Sequence, residues 1–219
     1  DAYYSKNEVD AILTNLQNQI IDVTPKVGDK YQGGVIFYLY QSGDLGYVEG
    51  ETHGLIAANE DVGHFVWMPS DLGYGDLFQL GNTSTAIGTG RANTWAIINT
   101  AGTSGEGPDG DINAAYATQH YNVGEWGDWF LPSRDELLKL QEWQNLNCNF
   151  DYPGSPWECP QPFVGAGEVW SSSEYDPDTE TWDNNGEFPN DYTGVWCTWT
   201  NSWVRPKSEP WPVRAVRAF

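Results

Sequence analysis

The chain has 219 residues, enough for one sizeable core with an appendage, and 31 Asp and Glu against 10 Lys and Arg leave a formal charge of −21. That charge repels phosphate backbones and anionic bilayers, which excludes nucleic acid and membrane surfaces as main partners and favours divalent cations, basic ligands or neutral sugars. An aromatic content of 15%, with twelve tryptophans, separates the chain from acidic disordered sequences.

The opening DAYYSKNEVD carries neither a basic stretch nor an apolar one, and no later run approaches membrane-spanning length, so no membrane insertion is expected. In SKNEVDAILTNLQNQIIDV, Val9, Leu13, Leu16, Ile20 and Val23 recur at alternating spacings of four and three, the seam of a short coiled coil. Ser5 and Glu8 form a capping box, Tyr4 and Val9 are placed as a hydrophobic staple, and Pro25 stops the helix. A helix this short is marginal alone. Self-association through residues 5–24 is therefore expected, the alternative being an amphipathic helix that lies on its own domain.

From residue 28 the texture changes. KYQGGVIFYLYQSG and HGLIAANED read as a hairpin. ANTWAIINTAG and DINAAYATQHY are short helices separated by TSGEGPDG. In WFLPSRDELLKLQEWQNL a short apolar strand ends at Pro132, Ser133 caps, Glu136 completes a second capping box and a helix follows. EVWSSSEY, GVWCTWTNSWV and PVRAVRAF return the chain to strands. Short elements in this order predict an α+β fold. Cys148 and Cys159 bracket a Pro-rich loop short enough to close as a disulfide, with Cys197 a buried thiol, which points to an oxidising extracellular setting. His53, His64 and His120 show no zinc-ligand spacing.

Taken together, GGVIFYLYQSG, HGLIAANED, TAIGTGRANTWAII, WFLPSRDELLKL, VWSSSEY and the terminal VRAVRAF resemble, in order, the C-terminal domain family of the Legionella collagen-like adhesin. That family is similar in turn to surface domains of gut bacteria and to phage tail-tip domains. The resemblance runs from about Gly28 to Phe219, and YYSKNEVDAILTNL is similar to segments that precede such tips in trimeric fibres. It implies a C-type-lectin-like head (residues 28–219) on an N-terminal coiled-coil trimerisation helix (residues 1–27), used for attachment outside the cell, on a bacterial surface or a phage tail fibre. Two segments depart from the pattern by being enlarged: NCNFDYPGSPWECPQPF and TETWDNNGEFPNDYTGVWCTWTNSW. The sulfated polysaccharide expected for the collagen-like adhesin does not suit a chain of −21.

The segment from Glu174 to Asp191 carries seven carboxylates (Glu174, Asp176, Asp178, Glu180, Asp183, Glu187, Asp191), and no Lys or Arg falls between Lys139 and Arg205. Crowded carboxylates raise their own pKa values or recruit a cation. Asp176, Asp178, Glu180 and Glu187 supply hard oxygen ligands for Ca²⁺ at EF-hand-like positions, although Thr181 stands where that loop needs Gly. A solvated acidic loop is the plain alternative. In GPDGDINAA, Asp109, Asp111 and Asn113 could also ligate, but Asp111 as the N-cap of the following helix is simpler. Indole faces stack on sugar rings while amides and carboxylates take hydroxyls. Trp182, Asp183, Asn184, Asn190, Asp191, Trp196, Trp199 and Trp203 are the ligand-binding candidates on that basis.

The final arginines, Arg214 and Arg217, are expected to pair with acids inside the fold. Ser171, Ser172 and Ser173 lack a nucleophile-elbow context, and their hydroxyls are expected to satisfy backbone groups. No enzyme is expected. The sequence predicts a trimeric adhesin or receptor-binding tip for a cell-surface glycan or protein, built around residues 174–203. The alternatives are a structural trimerisation cap of a fibre and, further off, a glycan hydrolase with paired carboxylates.

Overall fold

The structure, a computed structural model, describes residues 4–19, 24–68, 79–101, 112–147, 169–175, 195–198 and 203–219. Helix α1 (Lys6–Gln19) leads. Its capping box is formed: Ser5 N donates to Glu8 Oε2 at 2.8 Å and Glu8 N donates back to Ser5 Oγ at 3.3 Å.

The predicted hairpin is the centre of the head. Strands β2 (Gly34–Leu39) and β3 (Gly54–Ala58) pair antiparallel, with Ile36 opposite Ile56. Strand β1 (Lys30–Tyr31) adds one edge and β9 (Val216–Ala218) the other, giving the order β1-β2-β3-β9. Between β1 and β2 the turn residues Gln32 and Gly33 both take positive φ (46° and 91°), as a two-residue turn matching the strand twist requires. Alternation along β2 and β3 then divides the core. Val35, Phe37, Leu55 and Ala57 pack with Leu137, Leu140 and Trp143 of α4 (Arg134–Asn147). Ile36, Ile56 and Ala58 pack on the other side with Trp129 and Ala215. Both faces are buried, so each fully enclosed aliphatic side chain contributes about 1.5–3 kcal/mol.

A second core gathers Trp67, Met68, Leu131, Trp170, Cys197 and Val213 beneath α2 (Gly90–Ala101) and α3 (Ala114–Gln119). It is covered by a three-stranded sheet of β5 (Val169–Glu174), β6 (Val195–Thr198) and β7 (Trp203–Arg205). Strands β4 (Gly63–Phe65) and β8 (Trp211–Val213) form a separate pair. The molecule is thus α+β, with antiparallel sheets.

Two expected strands are each divided. GVWCTWTNSWV forms β6 and β7, which pair with each other antiparallel. PVRAVRAF forms β8 and β9, which join different sheets because Arg214 between them turns aside to Asp61, bonding its carboxylate at 2.7 Å. Cys197 is fully buried, as expected.

Candidate functional site

The acid-rich segment begins on a partnered residue. Glu174 closes β5, and its side chain is buried against the Lys207 ammonium. Its Oε1 also accepts from Leu80 N at 2.9 Å and its Oε2 from Gly81 N at 3.0 Å, while Lys207 Nζ lies 5.2 Å from the Trp67 ring centre. This corrects the reading of Glu174 as one of seven unbalanced acids: it is a structural anchor. The balancing cation stands 33 residues away, so no local scan of charge reveals it.

Of the expected ligand-binding residues, Trp196 lies in β6 opposite Val204, and Trp203 lies in β7 opposite Cys197. Trp182, Asp183, Asn184, Asn190, Asp191 and Trp199 lie outside the described residues, as do the calcium candidates Asp176, Asp178, Glu180 and Glu187 and the cysteines Cys148 and Cys159. Asn113 is the N-cap of α3: its side chain accepts from Tyr116 N at 2.8 Å, so it and not Asp111 takes the expected capping role. Asp109 and Asp111 also lie outside the described residues. Among the described residues, no group of three or more His, Cys, Asp and Glu side chains converges as a metal site.

The serine run is buried and occupied. Ser173 Oγ donates to Ser84 O at 2.8 Å and accepts from Arg134 N at 3.0 Å; Ser172 Oγ accepts from Asn93 Nδ2 at 3.1 Å; Ser171 Oγ accepts from Ser173 N at 3.1 Å. The hydroxyls thus tie β5 to α2, α4 and the segment before α2, as a strand rich in small donors allows. Arg214 pairs inside the fold with the buried Asp61, as expected, whereas the partner of Arg217, Asp128, is exposed at the surface.

A buried carboxylate links two helix starts. Glu136, fully enclosed at the third position of α4, accepts from Ser133 N at 2.7 Å, completing the second capping box. It accepts as well from Gly88 N at 2.8 Å and Gly90 N at 3.4 Å at the start of α2. A Cβ on Gly90 would stand 2.3 Å from Glu136 Oε2, so only glycine permits this approach. Burial pushes the Glu136 carboxyl up to about 7, with the N–H donors of Ser133, Gly88 and Gly90 acting in the opposite direction.

Helix α1 presents an apolar stripe. Val9, Ile12 and Leu13 are 41%, 46% and 51% exposed, and every side chain described from Tyr4 to Asn15 is exposed. Over these residues the helix does not lie down on its own domain. Leu16 belongs to the same helix, whereas Ile20 and Val23 lie outside the described residues.

One surface feature has no counterpart in the sequence reading. Arg91, in the first turn of α2, reaches Asp128, its Nη2 donating to Asp128 Oδ2 at 3.2 Å, and its guanidinium lies 5.4 Å from the Phe130 ring centre. Arg217 Nε donates to the other oxygen of Asp128 and its Nη1 to Gln32 Oε1. Two hollows meet at this point, both lined by Arg91, Asp128 and Phe130. One of about 450 Å³ runs towards Tyr40, His53 and Phe219; the other, about 300 Å³, runs towards Trp95 and Gln119. Trp95, one turn beyond Arg91, is 50% exposed. In sequence Trp95 stands in ANTWAIINT beside Ile97 and Ile98, both buried, so nothing local distinguishes an exposed Trp there from a core one.

No protein-family model matches the chain, and no curated protein matches it. Among the described residues, no helix is long and apolar enough to cross a membrane.

Proposed function

We propose that the protein is the tip of a trimeric attachment fibre: a C-type-lectin-like head that binds a cell-surface glycan or protein outside the cell, carried on a three-helix stalk. The observation that supports this reading best is the α1 stripe. A capped helix with Val9, Ile12 and Leu13 exposed removes that apolar surface from water by packing its stripe against the stripes of partner helices. Three linked heads convert weak single-site contacts into avidity, because the second and third encounters become intramolecular. The acidic, Trp-rich segment 174–203 is the proposed binding rim, with Glu174 as its buried foot and Asp176, Asp178, Glu180 and Glu187 as ligands of a Ca²⁺ ion.

Binding of the full chain to a glycan array and to host-cell surface proteins, with and without EDTA, tests the proposal. Specific binding that EDTA abolishes supports both rim and ion, whereas binding that survives EDTA keeps the adhesin and removes the ion. A trimer that binds neither class of target fits a structural cap of the fibre instead. In thermal melts, Ca²⁺ at a hundred times its dissociation constant is expected to stabilise the head by about 2.7 kcal/mol, and no change would remove calcium from the account.

A further inference from the structure

We infer that the groove crossed by the Arg91–Asp128 pair is a carbohydrate site for a neutral sugar ring with adjacent hydroxyls, Trp95 stacking on the ring's apolar face. The site is separate in sequence from the acidic rim. It shares with the proposed function only the premise that the ligand is a glycan.

Four observations converge. First, Trp67, Trp129, Trp143 and Trp170 are all buried, whereas Trp95 is half exposed on a well-formed helix, which is the arrangement a stacking platform needs. Second, the groove holds uncommitted polar groups. Among the described residues the Trp95 indole N–H and the Gln119 side-chain amide make no hydrogen bond, and Arg91 spends only Nη2 on Asp128. Third, the polar centre is held in place before any ligand arrives. Asp128 is gripped by Arg217 as well as Arg91, and Arg217 is itself fixed by Gln32 and lies 4.5 Å from the Trp126 ring centre. Burial alone would raise the Asp128 carboxyl, but bonding and attraction from Arg217, then Arg91, hold it below the usual range, so it stays an acceptor at neutral pH. Fourth, hollows of about 450 and 300 Å³ fall at the lower end of the roughly 300–1,000 Å³ typical of small-ligand sites.

The chemistry selects the ligand class. A guanidinium beside a carboxylate offers a donor and an acceptor side by side, which matches a vicinal diol, each hydroxyl of which both gives and takes a hydrogen bond. Phosphorylated or sulfated ligands would approach a chain of −21 against its field.

The test follows the ¹⁵N-labelled indole N–H signals of the full chain during titration with the methyl glycosides of mannose, galactose, glucose and N-acetylglucosamine. A saturable shift of the Trp95 signal is expected with at least one of them at millimolar concentration. Trp95→Ala and Arg91→Ala should each weaken that binding roughly tenfold or more while leaving the melting temperature close to wild type. Absence of any shift at Trp95 with all four glycosides would overturn the inference. Binding that Trp182→Ala removes and Trp95→Ala does not would also overturn it, while leaving the acidic-rim reading standing.

Discussion

Two buried carboxylates carry the most decisive chemistry at the level of single residues. Lys207 and Glu174 are fully enclosed together, so removing one partner strands the other in a medium that cannot solvate it. Lys207→Met is expected to cost about 3–5 kcal/mol in chemical denaturation, and adding Glu174→Gln should recover part of that loss. Glu136 gives a pH-dependent prediction. Its folded value of about 7 lies above the ordinary 4.5, so between those values the folded protein keeps a proton that the unfolded chain has released. The stability from this group is therefore fully present below pH 4.5 and is lost as pH rises through about 7. Glu136→Gln places an NH₂ group among N–H donors and should lower stability at every pH. The gap between wild type and variant should narrow as pH rises from 4.5 to 7, and a constant gap in melts across that window would contradict the assignment. Half of the Glu136 arrangement was legible. The Ser133 bond is a three-residue pattern, while the bonds from Gly88 and Gly90 span 48 and 46 residues and leave no periodic trace.

Elements with strong local rules read well from sequence. Helices α1 and α4 each begin at an S-x-x-E pattern whose bonds form as expected, and the β2–β3 hairpin follows from a β-branched and aromatic run and a second short apolar run joined by a Gly-rich connection. Strands β1, β4 and β8 have only two or three residues, too short to show alternation, and their pairings are set by distant partners. The split of the C-terminal strands depends on Arg214 turning to Asp61, 153 residues away. On α1, Val9 and Leu13 lie one turn apart on the exposed stripe. Leu13→Asp puts a charge where the proposed seam would be buried. It is expected to abolish association in gel filtration while leaving the head's unfolding free energy within about 0.5 kcal/mol of wild type, as for an exposed site in a monomer. A variant that loses stability but not association would place Leu13 against the head instead.

For the whole molecule, the α+β class was legible because helical and strand signals are both present and interleaved. The division of the described residues into three antiparallel sheets was not, since sheet order depends on which edges meet after folding. The proposed rim falls largely on residues 176–194, outside the described residues, whereas the Arg91–Asp128 groove is assembled from residues far apart in sequence and emerges only in the folded chain. Avidity through threefold association is the claim on which the attachment reading turns. Sedimentation equilibrium of the full chain measures it directly: the account predicts a species of three times the 24.5 kDa chain mass, and a single-chain mass across the concentration range would contradict it.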